Sequence, residues 1–406
     1  MCHLLAIMSS NGAHPSFITR VRLRNYRSIA GCDVELEPLT ILVGPNGSGK
    51  SNFLDALRLT AESLRGSLDH ALRERSGVAE VLRKSHGHPN HFGVRLDFQL
   101  DGSPGYFVFE VAARTGGAYE IRHEACAWAG AHYEVESGVV RRPPGPVSPP
   151  ASQDRLYLVN AAGLPEFRPV FDALSTMGFY NISPAKIRAL QAPDQGDLLD
   201  REGTNLASVL DRLGKASPVI KQRIEEYLAR VVPGILGFDA ARVGHMETIQ
   251  FRQRVVGSKQ PWQFPAINMS DGTLRALAVL TALFQFGEPE RTTARLIGIE
   301  EPETALHPAA AGLLLDCLRE GARERQVVIT THSPDLLDND VITADQLLAV
   351  SAVDGKTTIG RVDAASRQAL RDSLYRAGEL LRLGQLEPDE TSLSNAEQLD
   401  LFGPRP

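Results

Sequence analysis

Four short stretches of this chain set residue types at spacings suited to phosphate chemistry. The first is GPNGSGKS, Gly44 to Ser51, which satisfies the pattern G-x-x-x-x-G-K-[ST] directly after an apolar run and before a helical one, NFLDALRLTAESL. Glycines there let successive backbone N–H groups turn inward around an anion, while the following helix aims its positive end at it. Pro45, Asn46, Gly47, Ser48 and Gly49 then form a cradle, Lys50 reaches the β- and γ-phosphates, and Ser51, beside Asn52, offers a hydroxyl to Mg2+. A glycine-rich turn ahead of a helix is the plain alternative, and the strand, loop and helix context weighs against it.

The second stretch is RLIGIEEPETALHP, Arg295 to Pro308. An apolar strand ending in adjacent carboxylates places Glu300 and Glu301 on opposite sides of the backbone, at the sheet edge where ligands of such sheets bind. Glu300 is expected to serve Mg2+ through its water shell, and Glu301 to orient or deprotonate the attacking water. Taken alone the pair could be an acidic surface edge; the Gly44 loop makes a metal and water site the better reading. Third, INMSDGTLRALAVLTALFQF opens a largely apolar helix at Ser270, Asp271 and Gly272. Ser270 could be a simple N-cap, but small residues with free backbone N–H groups also suit a γ-phosphate. Fourth, VVITTHSPDLL puts His332 just past an apolar strand, with Ser333 capping a short helix. Such a histidine is usually structural; next to a strand bearing Glu301 it is placed to donate to the γ-phosphate.

These residues need a scaffold, and three apolar runs supply it: LTILV (Leu39 to Val43), RLIGI (Arg295 to Ile299) and QVVIT (Gln326 to Thr330). Uniformly apolar strands are buried on both faces, which points to a parallel sheet covered by helices and split between the two ends of the chain. Between them, FGVRLDFQL, YFVFEVAA, Tyr119 to Ala127 and His132 to Val140 read as an antiparallel meander. RRPPGPVSPP, Arg141 to Pro150, is an exposed loop by its prolines. Helical patterns follow at Arg168 to Met177, Asn205 to Leu213 and Pro218 to Val231, then a strand pair within Gly237 to Val256. Late in the chain come a strand at Gln346 to Val350 and one helix from Ala364 to Leu383. The expected organisation is a leader over 1–16, a discontinuous ATPase domain over 17–91 and 257–385, an inserted lid over 92–256, and a flexible tail over 386–406.

With 43 Lys plus Arg against 49 Asp plus Glu and 43% hydrophobic residues, disorder as the main state is excluded. No run approaches the roughly 18 apolar residues of a membrane-spanning helix, so no membrane association is expected. Four scattered cysteines, Cys2, Cys32, Cys126 and Cys317, fit a reducing cytoplasm. The net charge of −6 leaves nucleic-acid contact to local patches, for which Arg20, Arg22, Arg24 and Arg27, or Arg73, Arg75, Arg83 and Lys84, are candidates.

In order and spacing these motifs resemble ABC-type ATPases of the SMC, RecF and OLD-nuclease group. Gly44 to Ser51 looks like Walker A, Met269 to Thr273 (MSDGT) like the ABC signature, Ile297 to Glu301 like Walker B, Thr304 to Pro308 (TALHP) like the D-loop, and His332 like the switch histidine. EEPETALHP and TTHSPDLL are similar to the compact stand-alone AAA-type ATPases of that group. The resemblance covers about Phe17 to Leu64 and Ile267 to Val350. It implies an α/β fold: an ABC-type P-loop ATPase with a central parallel sheet and an inserted β-meander plus helical lid. It also implies ATP and Mg2+ as cofactors. RLRNYRSI looks like the group's first strand, which would place Asn25, Arg27 and Ser28 near the base and phosphates. Gln191 is assigned to the metal-contacting Q-loop position over Gln153 or Gln99. The signature departs from the usual form at Asp271 and Thr273, and Glu300 stands where aspartate is commoner.

The resemblance further implies an ATP-dependent homodimer in which Ser270 and Gly272 of one copy complete the site of the other. Members of this group handle DNA in repair or anti-phage defence, often with a nuclease. No nuclease-type acid cluster stands out in this chain, so cleavage would fall to a separate effector protein. A nucleotide-gated regulator that binds only proteins, and the motor subunit of a transporter, are the alternatives.

Overall fold

The computed structural model describes residues 16–85, 89–145, 148–285, 294–389 and 399–403. The leader expected over 1–16 falls outside them except for Ser16, as does Cys2. Sixteen strands are defined among these residues. The first three are β1 (Ile18–Tyr26), β2 (Ile29–Glu35) and β3 (Leu39–Val43). The meander is β4 (His91–Leu100), β5 (Ser103–Ala113), β6 (Tyr119–Trp128), β7 (Ala131–Glu136) and β8 (Val139–Arg142). A short β9 (Gly178–Tyr180) precedes the hairpin β10 (Ile235–Val243) and β11 (Met246–Gln253) and its neighbour β12 (Trp262–Pro265). Last come β13 (Leu296–Glu300), β14 (Gln326–Thr331), β15 (Leu347–Val353) and β16 (Lys356–Arg361).

Thirteen of these form one mixed sheet, in the order β8-β7-β6-β5-β4-β1-β2-β16-β15-β3-β14-β13-β9, and β10, β11 and β12 form a second. The three apolar runs are adjacent and parallel in its interior: β14 pairs with β3 on one side and β13 on the other. Their side chains divide by alternation. Leu296, Val328 and Leu42 join the core under the helix Lys50–Arg65. Ile297, Ile299, Ile329 and Ile41 join the core with the helices Asp271–Phe284 and Ala311–Glu324. A parallel sheet clad on both faces is what uniformly apolar strands require.

The structure departs from the sequence reading in several places. The meander expected inside a separate lid continues the main sheet, because β4 pairs antiparallel with β1. The helix expected over Ala364 to Leu383 is two, Ala364–Arg371 and Ala377–Arg382. Within the expected flexible tail, residues 399–403 pack on the meander. Leu401 is fully buried against Val108 and Ala125, and the Arg95 guanidinium donates to the Leu401 carbonyl at 2.8 Å. The strands β9 and β16 are additions that no periodicity announced.

The arginines of the first candidate patch are paired with acids. Arg20 pairs with Asp33 at 2.5 Å, Arg22 with Asp33 and Asp97, Arg24 with Glu110, and Arg27 with Asp55 at 2.9 Å. Arg73 and Lys84 make exposed pairs with Asp69 and Glu80, each four residues earlier. Arg75 is buried, with its side chain 1% exposed, and binds Asp55 and Glu62. Alternation of basic and apolar residues in β1 therefore reports acidic partners on β2, β4 and β5 rather than a phosphate-binding stripe.

Asp55, on the helix Lys50–Arg65, gathers Arg27, Arg58, Arg75 and the Tyr26 hydroxyl. Burial pushes this carboxyl up, but Arg75, Arg58 and Arg27 overcome that and hold it at about 2. A folded value below the ordinary one means the contribution is present above pH ~4 and is lost as pH falls toward 2, with a size of about 2 kcal/mol. Asp55→Asn also leaves Arg75 buried without its main counter-ion. It is expected to cost about 3 kcal/mol in urea unfolding at pH 7. The gap to the parent chain should narrow as the melts are repeated from pH 4 down to pH 2.

Candidate functional site

Register fixes the site. Thr331 of β14 lies opposite Val43 of β3, and Glu300 of β13 lies opposite Thr330, so the carboxyl ends of three neighbouring strands are level. Each strand hands its next residues to the same rim: the Gly44 loop after β3, His332 after β14, and Glu301 after β13. Ligands of parallel sheets bind at such a rim.

The phosphate loop is held from outside by a hairpin that comes late in the chain. Gly49 takes φ 105, and a Cβ there would lie 2.2 Å from the Thr357 hydroxyl of β16, so only glycine fits. The Thr357 hydroxyl donates to the Ser48 carbonyl at 2.7 Å. Its proton being spent there, it accepts from the Ser28 hydroxyl at 2.7 Å, and Ser28 in turn accepts from the Asn52 amide at 2.7 Å. Asn52, Ser28, Thr357 and Ser48 thus form a relay of one polarity that clamps the loop to β16. The turn that delivers Ser28 passes through Asn25 at φ 54 and Arg27 at φ 50. Arg27 itself is turned back to Asp55.

Several groups at this loop are of the kind that can hold an anion. The helix Lys50–Arg65 has no side-chain cap at its start and no acidic residue in its first turn. The Ser48 hydroxyl is buried without a hydrogen-bond partner. Lys50 donates to the carbonyls of Gly44 and Pro45 at 2.8 and 2.9 Å. Burial lowers its pKa, opposed by the nearby carboxylates of Glu301 and Glu303. Ser51 is exposed at the helix start.

Across the rim, Glu301 takes the left-handed φ of 44, which is costly for glutamate and marks a backbone held by its surroundings. Its N–H donates to the carbonyl of Thr330 at 3.0 Å, and its own carbonyl accepts from Arg275 at 3.0 Å. The carboxylate then meets Nδ1 of His332 at 3.0 Å. Below it, Glu303 accepts from the Thr331 hydroxyl at 2.5 Å, its other oxygen buried and unpartnered, and burial raises its pKa.

The signature segment joins this rim through its own turn. The Ser270 hydroxyl accepts from the Thr273 N–H at 3.2 Å, as an N-cap does. Gly272 permits contact with the D-loop-like turn, since a Cβ there would lie 2.3 Å from the Ala305 carbonyl oxygen. Arg188 binds both the Asp271 carboxylate and the Met269 carbonyl. Arg275 bridges Glu301 to the Ile182 carbonyl, the latter at 2.8 Å.

Two expected metal contacts are otherwise engaged. Gln191 is buried, with its amide donating to the Gly203 carbonyl and its oxygen accepting from the Ala207 N–H at 2.8 Å; it ties a loop to the helix Leu206–Ala216 and does not reach the rim as a ligand. Glu300 is paired with Arg201 at 3.0 Å. The sequence reading passed over Arg201, Arg275, Thr357 and Glu303. Arg275 was visible as a lone cation in an apolar helix, and Thr357 by the Asp354-Gly355 turn between two apolar runs. Arg201 carried no comparable signal.

Similarity to known proteins agrees with this geometry. Residues 157–338 match the family described as "AAA domain, putative AbiEii toxin, Type IV TA system", and residues 17–86 match "AAA ATPase domain". A segment of 64 residues is 45% identical to DNA replication and repair protein RecF of Gloeobacter violaceus, covering 16% of each chain. Another of 91 residues is 37% identical to the DNA double-strand break repair Rad50 ATPase of Methanopyrus kandleri, covering 21% of this chain and 10% of that one. The matched segments therefore span a small part of these relatives. Among solved structures, an SMC head bound to the C-terminal winged-helix domain of ScpA aligns with TM-score 0.56 at 15% identity, over 87% of this chain and 99% of that one. An Smc head with an extended coiled coil, bound to the C-terminal domain of ScpA and derived from Pyrococcus furiosus, aligns with TM-score 0.57 at 13% identity, over 88% and 99%. Two segments of the chain therefore resemble AAA-type ATPase domains, and its α/β fold is that of an SMC head.

Removing the Thr357 hydroxyl strands both the Ser48 carbonyl and the Ser28 proton. Thr357→Val is expected to cost about 1–3 kcal/mol in denaturant unfolding and to speed hydrogen exchange in the Gly44 to Ser51 loop. Thr357→Ser keeps the relay and should stay close to the parent chain in both measurements.

Proposed function

We propose that this protein binds and hydrolyses ATP with Mg2+ and closes as a homodimer while ATP is bound. The observation that carries this reading is the level rim of β3, β14 and β13, which gathers Lys50, His332 and Glu301 at one edge. Oxygen donors there, the exposed Ser51 hydroxyl and the Glu300 carboxylate now paired with Arg201, suit Mg2+. No cluster of three or more His, Cys, Asp or Glu side chains among the described residues makes a metal site by itself, so phosphate oxygens would complete the coordination. The bound ion would neutralise charge on the phosphates.

The chain's own residues divide the remaining work. Backbone N–H groups of residues 46–51 and the start of the helix Lys50–Arg65 hold the β-phosphate. Lys50 leaves the carbonyls of Gly44 and Pro45 to reach the β- and γ-phosphates. Glu301, fixed by Thr330 and Arg275, orients a water for in-line attack and accepts its proton. His332 holds Glu301 through Nδ1, which leaves Nε2 to face the γ-phosphate. Ser270 and Gly272 of a second copy supply hydroxyl and backbone contacts from the opposite side. ATP then touches both surfaces, and loss of the γ-phosphate removes the differential affinity for the closed pair.

The site of action is read as DNA in repair or anti-phage defence, in the cytoplasm, with a separate protein supplying any cleavage. The RecF and Rad50 relatives and the AbiEii-related family support that setting. Among the described residues no helix is long and apolar enough to cross a membrane. Since the arginines of β1 are paired with acids, DNA contact is assigned to the groove between two closed copies rather than to that strand.

Two measurements test these claims. Glu301→Gln is expected to slow ATP hydrolysis at least about a hundredfold and to accumulate a dimer at saturating ATP by light scattering; a variant that stays monomeric refutes the clamp. Filter binding of DNA is expected to need a non-hydrolysable ATP analogue and to weaken with salt. Retention indifferent to both would remove DNA as the substrate.

A further inference from the structure

Glu300 ends β13, immediately before Glu301. Two residues earlier on the same face, Gly298 approaches Leu54 of the helix that begins at Lys50. By alternation Glu300 faces the side of the sheet from which Ser51 and the phosphate loop project. A carboxylate in that position repels a triphosphate unless a cation neutralises it.

The cation present is Arg201, whose Nη2 lies 3.0 Å from Glu300 Oε1. We propose that Arg201 is the resident counter-ion of Glu300, exchanged for the divalent cation when Mg-nucleotide binds. The inference rests on the nucleotide reading above and names a positioning residue for it. Both cations draw on the single negative charge of one carboxylate, so a metal served by Glu300 weakens the Arg201 pair and the two compete.

Three observations make the exchange feasible. The arginine is lightly tied: Nη2 meets Glu300, whereas its Nε is buried without a hydrogen-bond partner, and the pair is part-exposed, with side chains 39% and 17% accessible. Such a pair shifts an equilibrium by about two- to fivefold, little enough for a metal to overcome. The side chain has somewhere to go, because Arg201 lines a cavity of about 150 Å³ bordered by Glu62 and Asp200 as well as by Arg58 and Arg65. The backbone can stay in place: the Arg201 carbonyl accepts from the Asn181 N–H at 2.8 Å and the Glu202 carbonyl from the Ser183 N–H at 3.1 Å. The movement is therefore one of side chain alone.

The exchange predicts opposite effects on two affinities, which a loss of packing would not produce. Without metal, Arg201 lowers the repulsion between Glu300 and the phosphates. With metal, it competes. The test is equilibrium binding of a fluorescent, non-hydrolysable ATP analogue to the full chain and to Arg201→Gln and Arg201→Lys, in EDTA and then across a Mg2+ titration. In Arg201→Gln the metal-free Kd should rise and the Mg2+ half-saturation point fall, each about two- to fivefold, while Arg201→Lys stays near the parent chain. An unchanged Mg2+ dependence, or affinities that weaken together in both conditions, overturns the inference. If the parent chain binds no analogue under either condition, the nucleotide reading itself fails and takes this inference with it.

Discussion

The hydrogen-bonded register of three parallel strands is the constraint on which this molecule depends. β3 comes from the start of the chain, β13 and β14 from its last third, and their pairing levels the ends that carry Gly44, Glu301 and His332. A slip of one residue would turn every side chain of a strand to the other face and part Glu301 from His332. Because these strands are apolar on both sides, two separate cores resist such a slip. Precision at the rim is thus a product of burial some distance below it.

Around that rim the chemistry is held in readiness by intramolecular stand-ins. Lys50 rests on two carbonyls of its own loop, Glu300 on Arg201, and Arg275 on the carbonyls of Glu301 and Ile182. Under the proposed function, each is a contact that an incoming anion or metal replaces with a stronger one. Deeper contacts gather at Asp55, which ties the helix Lys50–Arg65 to Tyr26 of β1, to Arg27 just beyond it and to Arg75, with Arg58 of the same helix as fourth partner. The Thr357 relay belongs with these permanent contacts, since it fixes the loop's outer wall regardless of what the inner wall binds.

Much of the fold and of the rim was legible because local chemistry and period specified it. LTILV, RLIGI and QVVIT read as buried strands, and β3, β13 and β14 are those runs; the loop from Gly44 to Ser51 follows β3 as its spacing requires. What was not legible depends on pairing between distant segments. The arginines of β1 looked like a basic stripe because their acidic partners lie on other strands, as Arg24 and Glu110 show. Gln191 looked like a ligand by residue type, whereas its burial and its bonds to residues 203 and 207 are properties of the folded loop. Arg201 gave no sign at all, since only the folded chain sets it against Glu300.

The contact between Arg95 and residues 399–403 bears on the order in which this protein is assembled. The guanidinium lies 2% exposed on β4 and donates to a carbonyl 306 positions downstream. Its charge is met on the same strand by Asp97 at 3.2 Å, and the Leu401 carbonyl adds an acceptor from far along the chain. During synthesis the meander can pair its strands early, yet its outer face stays unsealed, with Val108 and Ala125 uncovered, until Leu401 has left the ribosome.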